Sequence, residues 1–258
     1  MKKIIKSIIG DILYFRILDL IIKFSPQKRR KEKEENDNRK TFFSSILNKN
    51  DLCFDVGANM GNRIKPLLEM GARVVAVEPQ ESCQKYLNYK YGNKIEIVKK
   101  GLADSDGSKT LYIANSTVLS SFSEEWIEYF KEGRFSKYSW NKKVQVEMTT
   151  LDKLILKYGK PNFIKIDVEG YELNVLKGLS SPINLICFEY AVPEQTKNVI
   201  ACINQLLKIS TNLSFNYCIG ENMNFVLPNW IGLNEMQNLI NSQEFIDSAF
   251  GDVYVRMQ

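Results

Sequence analysis

Histidine is absent from this 258-residue chain. Its absence excludes the Ser-His-Asp and Cys-His arrangements, imidazole-ligated metals and any imidazole base. Proton-transfer chemistry is left to Asp, Glu, Lys, Tyr, Ser or Cys, or to a bound cofactor. Cysteine is scarce as well: Cys53, Cys83, Cys187, Cys202 and Cys218 are scattered and odd in number, and no C-x-x-C pair occurs. Neither a zinc site nor a disulfide framework is expected, and reduced, mostly buried thiols in a cytoplasmic protein is the plain reading. No charge-free apolar run approaches the roughly 20 residues of a membrane-spanning helix. Charge of one sign is also scarce outside the N-terminal region. Residues 1–40 hold 12 Lys/Arg against 6 Asp/Glu, whereas the other 218 residues hold 23 against 24. A nearly neutral body argues against a nucleic-acid-binding face. With 44% hydrophobic and 25% charged residues, wholesale disorder is excluded, and the length suits one large α/β domain with additions or two small domains.

The first 24 residues, MKKIIKSIIGDILYFRILDLIIKF, begin like a signal peptide, but Asp11, Arg16 and Asp19 interrupt the apolar run and no small-residue cleavage site follows. Ile5, Ile8, Ile9, Ile12, Leu13 and Leu20 fall near helical spacing, so an amphipathic helix is expected. It has two uses: lying on an anionic membrane surface, at the inner face, or packing on the domain or a second copy of the chain. Packing is preferred, because both partners would compete for one apolar stripe. Residues 26–40 carry almost no apolar side chain and read as a solvated helix or flexible linker. The expected division is an extension at 1–40 and a catalytic domain at 41–258 with an insertion near 115–143.

From residue 51 the rhythm becomes strand, glycine turn, helix. Leu52–Val56 is a short apolar strand, Gly57 to Gly61 the turn, Asn62 to Met70 a helix, Arg73–Val77 a second strand, Gln80 to Tyr91 a second helix and Lys94 to Val98 a third strand. Such alternation implies a parallel sheet covered on both faces, with ligands beyond the carboxyl ends of its strands. In the turn DVGANMG (Asp55 to Gly61), Gly57 permits the reversal, and Gly61 permits close approach of backbone to ligand or of helix to sheet. Asn59 stands where a dinucleotide fingerprint has its middle glycine, which argues for a ligand without a diphosphate. Glu78 ends the next strand, 23 residues after Asp55, where a carboxylate accepts both ribose hydroxyls of a nucleoside. Ala103 and Asp104 would then flank the purine, unless Asp104-Ser-Asp-Gly is simply a turn.

A second cluster is FIKIDVEGYE, residues 163–172. Alternation places Phe163, Lys165 and Asp167 on one face of a strand, and Glu169 and Glu172 follow at the turn and helix start. Three carboxylates and a lysine in eight residues exceed what a buried strand end needs. Glu189 ends a neighbouring apolar strand. Residues 215–219 and 223–227 flank Gly220-Glu-Asn222 and read as a terminal β-hairpin.

Taken together, DVGANMG at 55–61, VVAVEP at 74–79, GLADSDG at 101–107, Ser120-Ser121, LDKL at 151–154 and IKIDVEGYELNVLKG at 164–178 resemble the FkbM family of S-adenosylmethionine-dependent methyltransferases. The resemblance covers roughly residues 50–228. It implies a Rossmann-like class I methyltransferase: an α/β fold with a mostly parallel seven-stranded sheet, one strand antiparallel and helices on both faces. It also implies O-methylation of a sugar, glycan or related small-molecule acceptor. Carried over, Gly57, Asn59 and Gly61 cradle the methionine end of the cofactor, and Asp55 joins the cofactor-binding set. Glu78 holds the ribose, and Ala103 and Asp104 the adenine side. Asp167 and Glu169 border the methyl donor and the acceptor. Ser120, Ser121 and the aromatic side chains of Trp126, Tyr129, Phe130, Phe135, Tyr138 and Trp140 lie in the acceptor-side insertion, as sugar-stacking faces or as a hydrophobic cover. The acceptor proton goes to Asp167 or Glu169, to neutral Lys165 or to water. Alternatively, Asp167 and Glu189 hold a divalent cation such as Mg²⁺. Two other classes share parts of this pattern: a nicotinamide-dependent oxidoreductase, and a non-catalytic cofactor-binding scaffold.

Overall fold

The computed structural model describes residues 10–257. The apolar residues Ile5, Ile8 and Ile9 of the expected N-terminal helix lie outside the described residues. The helix itself is present as α1, Asp11–Lys23. It is followed by α2, Pro26–Ile46, with proline at the first helical turn, where its missing N–H costs nothing. The boundary expected at residue 40 therefore falls inside a helix. The physical reason is at its C-terminal end: Phe42 and Phe43 are buried, Phe43 against Phe163 and Phe42 against Phe225 and Tyr254. Further back, Asn36 donates to Glu69 at 2.8 Å. The polar segment is a mostly exposed helix, tied to α3 (Ile64–Glu69) through Asn36, and not a flexible linker.

The main sheet has seven strands. β1 (Leu52–Val56), β2 (Arg73–Val77), β3 (Glu96–Val98), β7 (Phe163–Ile166) and β8 (Leu185–Ala191) run parallel. β10 (Phe250–Met257) enters between β8 and β9 (Leu213–Ile219), antiparallel to both. The order is β3-β2-β1-β7-β8-β10-β9. Seven strands with one reversed is the arrangement expected. The hairpin is not: residues 223–227 form no strand, and β9 pairs instead with β10. Asn216 accounts for the difference. Its side chain accepts from the Leu227 N–H and donates to the Leu227 carbonyl, interrupting the backbone pairing, which is confined to the Val226 N–H to Tyr217 carbonyl bond and the Phe215–Ile231 bridge.

The segment after β3 leaves the main sheet. β4 (Gly101–Leu102), β5 (Gly107–Ile113) and β6 (Lys142–Thr149) make a small second sheet in the order β4-β6-β5. The connection from β5 to β6, which spans the stretch near 115–143, contains a 3₁₀ turn at Thr117–Leu119 and helix α5 at Glu124–Lys131. Helices α3 (Ile64–Glu69), α4 (Glu81–Tyr91), α6 (Leu151–Tyr158), α7 (Glu172–Lys177) and α8 (Thr196–Leu207) follow strands or strand-like segments, and α9 (Leu233–Ile240) and α10 (Gln243–Asp247) precede β10. Alternate residues of one strand serve opposite faces: Phe54 and Val56 join one hydrophobic core, and Cys53 joins the other. A sheet buried on both sides leaves its strand ends as the exposed, polar place to build a site.

Candidate active site

The carboxyl ends of β1, β2, β7 and β8 open on a cavity of about 370 Å³, within the range of small-molecule sites. Asp55 and Glu78 line it, both buried. At the end of β1, the N–H groups of Gly57 and Ala58 both donate to the Val77 carbonyl, at 3.0 and 3.1 Å. Gly57 has φ +84°, and a Cβ there would collide with the carbonyl oxygen of Asp167. The glycine is what lets the ends of β1 and β7 close up.

Two backbone donors hold Glu78. The Asn59 N–H donates to one carboxylate oxygen and the Gln80 N–H to the other, each at 2.7 Å. Burial pushes the Glu78 pKa up to about 7, and the two backbone bonds oppose that rise. Each oxygen keeps a second lone pair for an outside donor. The Asn59 side chain accepts from the Thr117 hydroxyl at 3.1 Å, so the position that would clear room for a diphosphate is filled and tied to the insertion. The Gln80 side chain accepts from Ser120 at 3.0 Å and donates to the Thr117 carbonyl at 3.0 Å.

Three residues of the expected cofactor set lie elsewhere. Gly61 does not line the cavity; a Cβ there would lie 2.8 Å from Leu87 and 2.9 Å from Tyr91, so the glycine lets the turn pack closely on the helix Glu81–Tyr91. Ala103 is buried and Asp104 is exposed, and neither reaches the wall, where Lys100, Gly101 and Leu102 stand instead. The reason is pairing: the Ala103 N–H donates to the Thr149 carbonyl at 2.8 Å, and the Ala103 carbonyl leaves no room for a side chain at Gly178.

Asp167, Glu169 and Glu189 line the same cavity, with carboxylate oxygens that lie within 4.8 Å of one another. Glu189 stands on β8, and the loop that presents Asp167 and Glu169 is built by Glu172, which accepts from the N–H groups of Val168 and Gly170 at 3.2 and 3.0 Å and from Asn198 at 3.1 Å. Glu169 has φ +53°, its carbonyl accepts from Ser121 at 2.7 Å, and a Cβ on Gly170 would collide with Trp126. The insertion therefore clamps the carboxylate loop. Burial, then the charge of Asp167, then a further carboxylate (Glu172 for Glu169, Glu169 for Glu189) hold the pKa values of Glu169 and Glu189 well above the usual carboxylate range. Three oxygen donors at this spacing could trap a proton or hold a hard cation.

Lys165 is not a base here. Its ammonium is buried, 2.7 Å from Asp252 and 3.2 Å from Asp167. Burial favours its neutral form, but the two carboxylates outweigh burial and hold its pKa well above the ordinary value. Arg63 adds a second cation, 3.3 Å from Asp252, 3.7 Å from Glu221 and 3.8 Å from Asp167. Arg63, Glu221 and Asp252 were not identified from the sequence. The available signal was a lone acid, Asp252, inside the apolar run from Phe250 to Val255.

Of the aromatic residues in the insertion, Trp126, Phe130, Phe135, Tyr138 and Trp140 pack on one another, and Tyr129 is exposed. They are mainly a hydrophobic cover, but Trp126 and Phe135 also reach the cavity wall.

The cavity fits the cofactor that the resemblance implies. Glu78 offers acceptors for a diol, bare backbone runs from Gly57 to Ala58, and Val77, Leu102, Leu111 and Leu119 supply apolar wall for a heteroaromatic ring. Similar solved structures include a TehB-like SAM-dependent methyltransferase from Corynebacterium glutamicum (8% identity, 86% of this chain and 88% of that one, TM-score 0.43). They also include precorrin-6y C5,15-methyltransferase from Geobacter metallireducens (10%, 85% and 87%, 0.42) and the plantazolicin methyltransferase BpumL with S-adenosylhomocysteine (10%, 100% and 95%, 0.42). No curated protein matches the chain in sequence. The model of the methyltransferase FkbM domain matches residues 55–212. On that match, the chain belongs to the FkbM family of methyltransferases, with S-adenosylmethionine as its methyl donor.

Proposed function

We propose that the protein is an O-methyltransferase that methylates a hydroxyl of a sugar, glycan or related metabolite. The carrying observation is the convergence of Asp167, Glu169 and Glu189 on the cavity that Glu78 also lines. When bound, S-adenosylmethionine supplies an electrophilic methyl group, and the protein's task is alignment and proton removal. Glu78 anchors the ribose diol. Glu169 takes the acceptor's proton, since a carboxylate whose proton affinity is raised by burial and by Asp167 is a stronger base than a solvated one. Lys165 and Arg63 keep Asp167 in place. Trp126 and Phe135 offer ring faces that suit a sugar. The five cysteines are buried and form no disulfide, which supports a cytoplasmic setting. The neutral main body gives no support to a nucleic-acid acceptor.

The test is transfer of labelled methyl from S-adenosylmethionine to a glycan and metabolite extract, followed by identification of the product. Label in an ether on a sugar-type oxygen is expected. Label on nitrogen or carbon alone would refute the O-methylation reading. Cofactor binding without transfer to any acceptor would favour the non-catalytic scaffold.

A further inference from the structure

We propose that α1 is an interfacial helix that seats the enzyme on an anionic lipid surface. The sequence poses a competition, because one apolar stripe cannot both pack on the domain and face a membrane. The structure removes that conflict by using two faces. Phe15 is buried against the rings of Tyr86 and Tyr89 on α4, at 5.1 and 5.8 Å, and Asp19 accepts from the Tyr89 hydroxyl at 3.0 Å. On the opposite side stand Leu13, Ile17, Leu20, Ile21 and Phe24, between 37% and 77% exposed. At 3.6 residues per turn these five fall within about 100° of arc, with Phe15 and Asp19 on the far side. Scattered exposed apolar residues are ordinary, but a contiguous ridge marks an interaction surface.

Charge selects the occupant. Arg16 and Lys23 are exposed on the helix beside the ridge, and Lys28, Arg29 and Arg30 are exposed where α2 begins. A second copy of the chain on this ridge would bring like charges together. Acidic headgroups would meet them with opposite sign. No helix among the described residues is long and apolar enough to cross a membrane, which leaves α1 lying in the interface plane with its ridge inserted. Docking through Phe15 and Asp19 would hold the catalytic body close to that surface.

The test is co-sedimentation of the full chain with phosphatidylcholine vesicles, with and without one-third phosphatidylserine. Binding to the anionic vesicles is expected, weakened by high salt. The triple variant Ile17→Ser/Leu20→Ser/Phe24→Ser should bind at least about tenfold more weakly, given the apolar surface it removes. Its substitutions are on exposed positions, and an unchanged melting temperature and unchanged S-adenosylhomocysteine affinity would show that the body is intact. The proposal is overturned if the wild-type chain stays in the supernatant, or if the variant sediments as well as wild type. It is equally overturned if the wild-type chain forms a dimer that the variant abolishes while neither binds vesicles, which would assign the ridge to a second copy. None of these results bears on methyl transfer itself.

Discussion

The Lys165 ammonium bridges Asp252 and Asp167, 2.7 Å from the first and 3.2 Å from the second. A strand 87 residues later in the chain thus supplies the counter-charge for the strand that carries the candidate site. Asp252→Asn leaves the buried Lys165 and Arg63 cations under-compensated. Breaking a buried pair from one side costs about 3–5 kcal/mol, so a marked fall in melting temperature is expected. Burial raises the Asp252 pKa, but Lys165 and Arg63 outweigh it and hold it below the usual value. The stabilisation it gives is therefore present above the unfolded carboxylate pKa and is lost as the pH falls through the lowered folded value. Acid denaturation followed by circular dichroism should show this component in the wild-type chain and not in Asp252→Asn.

Glu78 ties cofactor affinity to pH. The diol needs an acceptor, so binding selects the ionised carboxylate, and burial raises that group's pKa to about 7. Affinity for S-adenosylhomocysteine should weaken about tenfold between pH 8 and pH 6. Glu78→Gln should flatten this profile and weaken binding by at least about tenfold, since hydrogen bonds to a charged acceptor contribute about 1.5–3 kcal/mol each. Calorimetric titration measures both, and a Glu78→Gln protein with wild-type affinity would refute the ribose role.

At Gly57, alanine meets two penalties, a left-handed backbone conformation and a collision with the Asp167 carbonyl. Gly57→Ala should spread β1 from β7, lower the melting temperature and abolish measurable cofactor binding. Retained affinity would show that the turn adapts.

The roles of the acidic loop separate kinetically. Glu169→Gln keeps the shape but removes the proton acceptor. A fall in kcat of about 10²–10⁴-fold is expected, with S-adenosylhomocysteine affinity little changed. Glu172→Gln should act differently: its amide keeps one oxygen for the Val168 and Gly170 N–H groups but sets a buried NH2 against the Asn198 donor, so stability should fall along with activity.

Excess chelator should leave methyl transfer unchanged. Lys165 and Arg63 already supply counter-charge beside Asp167, and a proton held by Glu189 relieves its repulsion with Glu169 and Asp167. A loss of activity restored by Mg²⁺ would instead assign the three carboxylates to a cation.

Local sequence was enough to identify the strand, turn and helix units of the first half, because a parallel sheet buried on both faces requires continuous apolar runs and glycine turns at fixed spacing. By the same logic Glu78, Asp167, Glu169 and Glu189 were legible as strand-end acids. Lys165 stayed among several candidate proton acceptors because the sequence shows its charge and not its neighbours. Asp104 was misplaced because Gly101-Leu102 could continue one sheet or begin another, and only pairing with Thr149 decides. β10 went unread because a strand is defined by its partners, and those partners lie far away in sequence.

The sequence by itself therefore determined the family, the parallel α/β rhythm and the acids at the strand ends, since each depends on residue types a few positions apart. Tertiary structure decided which acids share a cavity, which cation holds which carboxylate, and which face of α1 stays bare. Those are long-range contacts, and electrostatic and packing energies depend on distances through space that no local pattern encodes.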